Sequence, residues 1–386
     1  MIAGPGARAP GGSLPNDLDV SARAAEHLRA LAREPRPTGG PAAAAARLYC
    51  ADVLSTIGFR VAEHPFEYSA AVGELGTSAG GATILALILA AAGASLGAAP
   101  AVGVGVLVVG GMLVMLAGRW AARHGVLRLS LRRRHGVNLE ALRPGAVPRA
   151  WLVAHVDSKS QPISLVVRAA GVVLLALAWI AALGLSAEAT VRGGGRRDLW
   201  TYVLVAAVIG AIPVLASVVG KRSAGALDNA SGLATVLTAA ELTAGTPVGV
   251  LITDAEELGL AGARAWCSAT NTDRTPVFNC DGVDDVGMLT LMWTRPRAVR
   301  LEDAIRVAAA DVGEPVRVIP LIPGVLVDGL AFSDVGREVV TLSRGSLETL
   351  RRIHTSHDDL SRLRGTGVAV AARVLARAVH ETVGSA

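Results

Sequence analysis

Two stretches of this 386-residue chain interrupt the mixture of apolar and polar positions that fills the rest of it. From Leu75 to Gly118 lie 44 consecutive residues without a charged side chain. A helix rising 1.5 Å per residue needs about 20 residues to cross a ~30 Å hydrocarbon core, so this run suffices for two passes. Pro100, inside GAAPAVG, is the natural turn between them. A buried hairpin of a soluble protein is the alternative, but it has no need of so long a charge-free run. A second apolar block covers Ile163 to about Ala187, broken only by Arg168, which is close enough to its start to snorkel to the headgroups. After the polar, Gly-rich connector AEATVRGGGRRD come 22 more uncharged residues, Leu199 to Gly220, with Pro213 expected to kink their helix. The pattern predicts four transmembrane helices in two hairpins, 75–118 and 163–220.

Elsewhere the apolar positions recur at shorter periods. From Asp17 to about Glu34 a helical pattern places Val20, Ala24, Leu28 and Leu31 on one side. PRPTGGP breaks it, a second helix runs from about Ala42 to Thr56, and FRVAEHPFEY then alternates like a strand. Further strands are expected at Arg149–Ala154, Val248–Thr253, Val277–Cys280, Met288–Trp293 and Glu338–Leu342, with helices near 229–243, 301–312 and 360–382. Such alternation predicts an α/β fold with a mixed, largely parallel β-sheet flanked by helices. One globular domain would then be assembled from residues 17–74, 119–162 and 221–386, with a hairpin inserted at each break. Residues 1–16 are Gly/Pro/Ala-rich, lack the apolar core of a signal peptide, and are expected to form a disordered tail.

Composition supports this division. Apolar residues make up 52% and mean hydropathy is +0.47 with only 3% aromatics, too apolar for an ordinary soluble α/β domain. The net charge of +5 comes from arginines gathered beside the apolar spans, which points to anionic lipid headgroups. No module with interleaved basic and aromatic residues suggests nucleic acid. Cys50, Cys267 and Cys280 are odd in number and form no CxxC pair, so buried free thiols are expected. Two hairpins bring every remaining segment to the same side of the bilayer. That side carries Arg119, Arg123, Arg128, Arg132, Arg133, Arg134, Lys159, Lys221 and Arg222, against Arg192, Arg196 and Arg197 at the opposite tip. The positive-inside rule therefore predicts a multi-pass protein of the cell membrane with its globular domain in the cytoplasm.

The candidate chemistry sits where predicted strands end. AWLVAHVD finishes in His155 and Asp157, LITDAEELGLAG carries the pair Glu256–Glu257, and PVFNCDGVD delivers Asp281. Taken singly these motifs are unremarkable: a lone HVD is usually a hydrogen-bonded histidine, GALDNASG fits a turn and helix cap, and acidic pairs are usually solvated. In an α/β sheet, however, groups beyond the carboxyl ends of strands converge. Imidazole nitrogen and carboxylate oxygen together suit zinc, and one carboxylate can bridge two ions. Such ions lower the pKa of water and polarise a carbonyl, while a neighbouring free carboxylate moves the proton to the leaving amine. Consecutive glutamates can divide the ligand and base tasks because adjacent side chains point in different directions.

HVDSKSQ, AGALDNASGLA, AEELGLAGA, FNCDG and IHTSHDDLSRL, in that order, resemble the M28 family of co-catalytic zinc aminopeptidases. GVNLEALRPG and VDGLAFSDVGREVVTLSRG resemble the segments before the first and last of its metal motifs. The resemblance implies two Zn2+ ions, a substrate that is a peptide or protein N-terminus, and a role for each matching residue. His155 would ligate one ion with Asp157 holding its ring, and Asp228 would bridge both. Glu256 would be the general base and Glu257 a ligand of one zinc. Asp281 would ligate the other, as would His354 of the HTxxD pattern, with Asp358 its following acid and His357 the alternative histidine. A homo-oligomer stays open.

Three departures stand out. Ile353 occupies the place where some members carry an oxyanion-steadying tyrosine, and Asp328–Gly329 stands where relatives often have an Asp-His pair. A short loop joins the first two motifs in typical members, but 70 residues separate Asp157 from Asp228 here, and the second hairpin fills them. The site is therefore expected to lie close to the bilayer and to favour lipid-associated or hydrophobic peptides. Two alternatives remain. A single-zinc glutaminyl-cyclase-like acyltransferase is disfavoured by the presence of both His155 and Asp281 beside the bridging acid. A non-catalytic membrane scaffold of the same fold is disfavoured by the complete ligand set. A transporter is not expected, since no acid lies within the apolar spans.

Overall fold

The computed structural model describes residues 17–97, 99–270, 273–322 and 324–384, so the expected tail 1–16 lies outside the described residues. Strands β1 (Arg60–Ser69), β2 (Arg133–Leu142), β3 (Ala150–His155), β4 (Val248–Thr253), β5 (Val277–Val283), β6 (Met288–Trp293), β7 (Val316–Pro320) and β8 (Val339–Gly345) form one sheet. Their order is β1-β2-β4-β3-β5-β8-β6-β7. The four central strands, β4-β3-β5-β8, are mutually parallel, as are β6 and β7, while the β1-β2, β2-β4 and β8-β6 pairs are antiparallel. β3 and β4 are buried along their whole length, which is why AWLVAH and VGVLIT are continuous apolar runs without alternation.

One face of the sheet is covered by α1 (Asp17–Leu31), α2 (Pro41–Thr56), α8 (Gly232–Leu242), α10 (Val299–Val312) and α13 (Thr366–Gly384). They supply Leu28, Leu54, Leu237, Ile305 and Leu375 to a core shared with Leu152, Val250 and Phe278 of the strands. The other face takes α9 (Ala261–Ala269) and α11 (Gly329–Asp334), where Trp266 and Phe332 pack on Trp151 and Val339. The three cysteines are free and buried.

Several boundaries differ from expectation for local reasons. The helix expected from 360 begins at Thr366, after a single 3-10 turn at Leu360–Arg362. Gly365 has φ +93, and the Asp285 carboxylate accepts the Gly365 and Gly367 amides at 3.1 and 2.9 Å, so the helix is capped from another loop. β5 continues past Cys280 with a register shift before Val283. Such an irregularity frees Asp281 from the ladder and re-aims its side chain. β7, α9, α11 and the short α12 (Leu347–Arg352) span nine residues or fewer and were not among the expected elements.

The hairpins are α3 (Ala71–Leu96) with α4 (Pro100–Trp120), and α6 (Leu165–Arg192) with α7 (Arg197–Leu215). α4 continues through a π-helical stretch, Ala121–Gly125, into a last turn, α5 (Val126–Arg128). All four are long and apolar enough to cross a membrane. They bury Ile88, Leu107, Leu175 and Trp200 against one another and leave Met112, Leu113, Ile180 and Ile209 exposed. α6 and α7 approach closely at Gly171, where a Cβ would stand 2.8 Å from the Gly210 carbonyl. The helices outrun the charge-free segments. α3 takes in Glu74, paired with Arg132 and Arg134 at 2.6 Å each, and α6 runs on to Arg192, which pairs with Glu188 at 2.9 Å. The polar connector thus shrinks to residues 193–196, and the acids of these helices sit at their ends.

α3 docks directly on the turn that follows β4. A Cβ on Gly73 would lie 2.4 Å from the Cα of Leu258, in the turn that carries Glu256 and Glu257. Gly73→Ala must push the span off that turn. We expect a loss of about 1–3 kcal/mol of stability, as for overpacking in general, with at least a tenfold drop in activity. Gly76→Ala, where a Cβ meets nothing within 4 Å, is the control and should leave both thermal midpoint and activity intact.

Candidate metal centre

β3 lies between β4 and β5, the strands that follow it in sequence, so the loops leaving all three meet in the crevice at their carboxyl ends. His155 closes β3, and its Nε2 lies 3.2 Å from Asp228 Oδ1, 3.7 Å from Asp281 Oδ1 and 3.9 Å from Glu256 Oε2. His354 Nε2 lies 2.9 Å from Asp228 Oδ2 and 3.3 Å from Glu257 Oε2. Asp228 therefore offers one oxygen to each imidazole. The two glutamates separate as the sequence suggested, Glu256 toward His155 and Asp281, Glu257 toward His354. His357 is exposed and stays outside.

Each side chain is aimed by a specific local device. Asp228 and Asn229 leave helical geometry, at φ −119, ψ 89 and φ −137, ψ 40, inside the turn Ala226–Ser231 that precedes α8. The Asn229 amide donates to the Cys280 carbonyl at 3.0 Å, while its oxygen accepts the Gly232 and Gly282 amides, tying this turn to the end of β5. The Asp358 carboxylate accepts the amides of Leu227 and Asp228 at 2.6 and 3.3 Å. Asp157 does more than the expected holding of a ring. Its own carbonyl is the nearer partner of His155 Nδ1, at 3.1 Å, with the carboxylate at 3.5 Å. That carboxylate also accepts the amides of Glu256 and Glu257 at 3.1 and 3.2 Å and the Thr38 hydroxyl at 2.9 Å. Ala255, Leu260 and His354 adopt positive φ (57, 60 and 64), so backbone strain is concentrated around these groups.

Sequence reasoning passed over Arg36, read there only as part of a Pro/Gly break. Its guanidinium is buried and donates to the carbonyls of Leu31, Val156, Ala224 and Gly225, joining the end of β3 to the Asp228 turn. No motif could have shown this, because all four acceptors are backbone. Lys159 was expected among the positive charges flanking the apolar segments, but it is turned inward. Its ammonium lies 2.5 Å from Glu257 Oε2, and its amide donates to the same carboxylate.

The charges are strongly coupled. Burial pushes Glu256 well above the ordinary glutamate range, and nearby Glu257 and Asp281 add to this against the pull of His155. Burial also opposes ionisation of Asp228, but His155 and His354 outweigh it and hold that carboxyl well below its usual range. Burial would lower the Lys159 ammonium, yet Glu257 and Glu256 hold it above its ordinary value. Asp328, noted earlier only as a departure, is a buried carboxyl that accepts the Thr253 hydroxyl and is pushed up to about 7 by burial, with Asp157 and Asp281 contributing.

The donor set fits divalent metal. Among the described residues the buried Nε2 atoms of His155 and His354 make no hydrogen bond, although carboxylate oxygens stand within reach. Ligands about 2.0–2.2 Å from a tetrahedral zinc are separated by roughly 3.3–3.6 Å, and the contacts here, from 2.9 to 3.9 Å, bracket that value. A cavity of about 630 Å³ opens in front of Asp228, Glu256, Glu257, Asp281 and His354.

The model of Peptidase family M28 matches residues 193–379, a segment that holds Asp228, Glu256, Glu257, Asp281 and His354 but begins after His155. No curated protein sequence matches the chain. Among solved structures, an aminopeptidase from Aneurinibacillus sp. strain AM-1 superposes with a TM-score of 0.56 at 14% identity, covering 95% of this chain and 96% of that one. BSAP, a zinc aminopeptidase from Bacillus subtilis, gives 0.56 at 13%, covering 94% and 95%. A glutaminyl cyclase from Fimbriiglobus ruber gives 0.57 at 14%, covering 98% and 99%. At these identities the likeness is one of fold.

Two outcomes are expected. Lys159 sets a positive charge against the Asp228–Glu257–His354 group, where it repels any cation. Lys159→Met should therefore tighten zinc binding at that group by about tenfold or more, read by competition of the metal-free protein with a chromophoric chelator. Asp328 has a raised folded pKa, about 7 against about 3.9 unfolded, so its contribution to stability is complete below about pH 4 and is lost as pH rises through about 7. The loss is at most about 4 kcal/mol for a three-unit shift. Metal-free Asp328→Asn should show a smaller fall in thermal midpoint between pH 5 and pH 8 than the unaltered protein.

Proposed function

From the match of residues 193–379 to the model of Peptidase family M28, we propose that the chain is a membrane-anchored zinc aminopeptidase of that family acting on peptide or protein N-termini. The observation that carries this reading is Asp228, whose two carboxylate oxygens face two different histidines. A pair of Zn2+ ions fits that symmetry, one held by His155 and Asp281, the other by His354 and Glu257, with Asp228 shared. Bound zinc would supply Lewis acidity toward the scissile carbonyl and its attacking water.

The chain's own residues supply the rest. Glu256 is the carboxyl left over from the ligand count, buried at 5% exposure and biased toward holding a proton. As water adds to the carbonyl carbon, Glu256 accepts its proton; as the carbon–nitrogen bond breaks, it returns that proton to the departing amine. Asp157 keeps the Glu256–Glu257 turn in place through both backbone amides. Asp358 and Arg36 keep the Asp228 turn beside the end of β3.

The four apolar helices support a multi-pass membrane protein, and the arginines on the flank nearest the sheet support a cytoplasmic catalytic domain. A second reading rests on the shared fold with the Fimbriiglobus ruber glutaminyl cyclase. It would make the chain an acyltransferase using one zinc, and the paired donor groups of this site favour it less.

Glu256→Gln should lower kcat on aminoacyl peptides by about 10²–10⁴-fold, the range for loss of a general base, while elemental analysis still finds two metals per chain. Asp228→Asn should lose metal as well as activity. Unchanged hydrolysis by Glu256→Gln would overturn the mechanism. One metal per chain, with cyclisation of N-terminal glutamine, would favour the second reading.

A further inference from the structure

The cavity in front of the metal centre is not walled by the catalytic domain alone. Val72, Gly73 and Thr77 of α3 and Leu165, Arg168 and Val172 of α6 form one side of it. These are the ends of two spans nearest the sheet. α6 has 28 residues, about 42 Å of helix at 1.5 Å per residue, against a hydrocarbon core of ~30 Å. Its first turns therefore project into the headgroup layer. Arg168 belongs there, bonded to Gln161 and close enough to the water layer to meet lipid phosphate. Val172 lies one turn deeper and is 49% exposed, so the cavity wall runs without a break into the lipid-facing side of α6.

The opposite rim carries several exposed apolar side chains, with the polar Arg317 and Ser346 among them. Met288, Ile322, Leu326 and Leu347 come from three separate segments, all line the cavity, and all are exposed. Exposed apolar side chains that converge on one opening mark a surface that meets something apolar. The floor is the reverse: Asp228, Glu256 and Asp281, the polar groups of the reaction proposed above, gather there, so a substrate must bring its N-terminal residue to them. Such a cavity orients its occupant, with the amine at the floor and an apolar chain leading out along Val172 and Leu326.

We propose that the substrates are the N-termini of bilayer-inserted apolar peptides, taken into the site from the membrane side past the ends of α3 and α6. This rests on the aminopeptidase reading and on the four helices being spans. Recognition lies in the apolar peptide segment that follows the cleaved residue.

The test uses the full chain in vesicles of three parts phosphatidylcholine to one part phosphatidylglycerol. Two peptides share their first six residues; one continues with a twelve-residue Leu/Ala segment, the other with a Ser/Gln segment of equal length. An aminoacyl arylamide is assayed in the same vesicles. We expect kcat/KM for the apolar peptide to exceed that for the polar one by at least tenfold, and Val172→Glu or Leu326→Glu to cut that ratio at least fivefold. Metal content identifies variants that have kept the fold. Equal kcat/KM for the two peptides, with metal-dependent arylamide cleavage intact, would overturn the proposal and leave the peptidase reading standing. A ratio unmoved by both folded variants would also overturn it, since simple partitioning would then account for the preference. Faster cleavage of an acylated polar peptide than of the apolar one would assign the cavity to a lipid chain instead. Loss of arylamide cleavage as well would remove the peptidase reading and the proposal with it.

Discussion

Four carboxylates, Asp228, Glu256, Glu257 and Asp281, are gathered around two imidazoles and one ammonium at the carboxyl end of the central strands. Ionised carboxylates in low dielectric are costly unless paired and hydrogen-bonded. The surrounding fold is arranged to bear that cost. Asp358 and Asn229 bond the backbone on either side of Asp228, Asp157 accepts both amides of the Glu256–Glu257 turn, and Arg36 fastens the Asp228 turn to β3. Even so, the acids stay perturbed in opposite directions, Glu256 upward and Asp228 downward. Divalent cations relieve this imbalance, and the same imbalance separates a carboxylate suited to ligation from one suited to proton transfer.

Such a centre constrains where the two apolar hairpins can enter the domain. Both hairpins join the sheet near the loops that carry the chemistry. α3 lands on the turn behind Glu256, and α6 starts ten residues beyond His155, at Leu165. A shift of either span would move the wall of the cavity relative to its floor. The close packing at Gly73 and Gly171 therefore bears on the geometry of the site as well as on the bundle.

Much of this was legible in the sequence, for identifiable reasons. A buried parallel strand is a continuous apolar run, so β4 was bounded correctly, and His155, Glu256 and Glu257 fell at or just past strand ends, where ligands converge, whereas Asp281 lies inside β5 at its irregularity. The four long apolar helices were legible from their charge-free runs, but their ends were misplaced. Glu74 and Glu188 pair with arginines at the rims, so the helices continue past the last uncharged residue. What escaped detection acts through partners distant in sequence. Asp285 caps α13 from across 80 residues, Arg36 reaches four carbonyls, and Lys159 meets Glu257 from 98 positions away. Periodicity reports faces of elements and carries no information on such pairings.

The second insertion is where motif order and membrane topology seem most opposed, since it separates His155 from Asp228 by a whole hairpin. The structure resolves this at the hairpin's base. Ser160 and Gly220 exchange backbone hydrogen bonds, Ser160 N to Gly220 O at 3.0 Å and Gly220 N to Ser160 O at 2.7 Å, and the Ser160 hydroxyl accepts the Arg222 amide at 2.8 Å. A Cβ on Gly220 would stand 2.7 Å from that hydroxyl, so the two segments touch as closely as backbone allows. Loop-closure entropy grows only with the logarithm of length, by about 0.6 kcal/mol per doubling. Once the base is clamped, the 59 residues between Ser160 and Gly220 behave toward the metal centre as a short loop would. Distance along the chain is thereby decoupled from distance in space. His155 and Asp228 can be held 3.2 Å apart while the segment between them runs out along one long apolar helix and back along another.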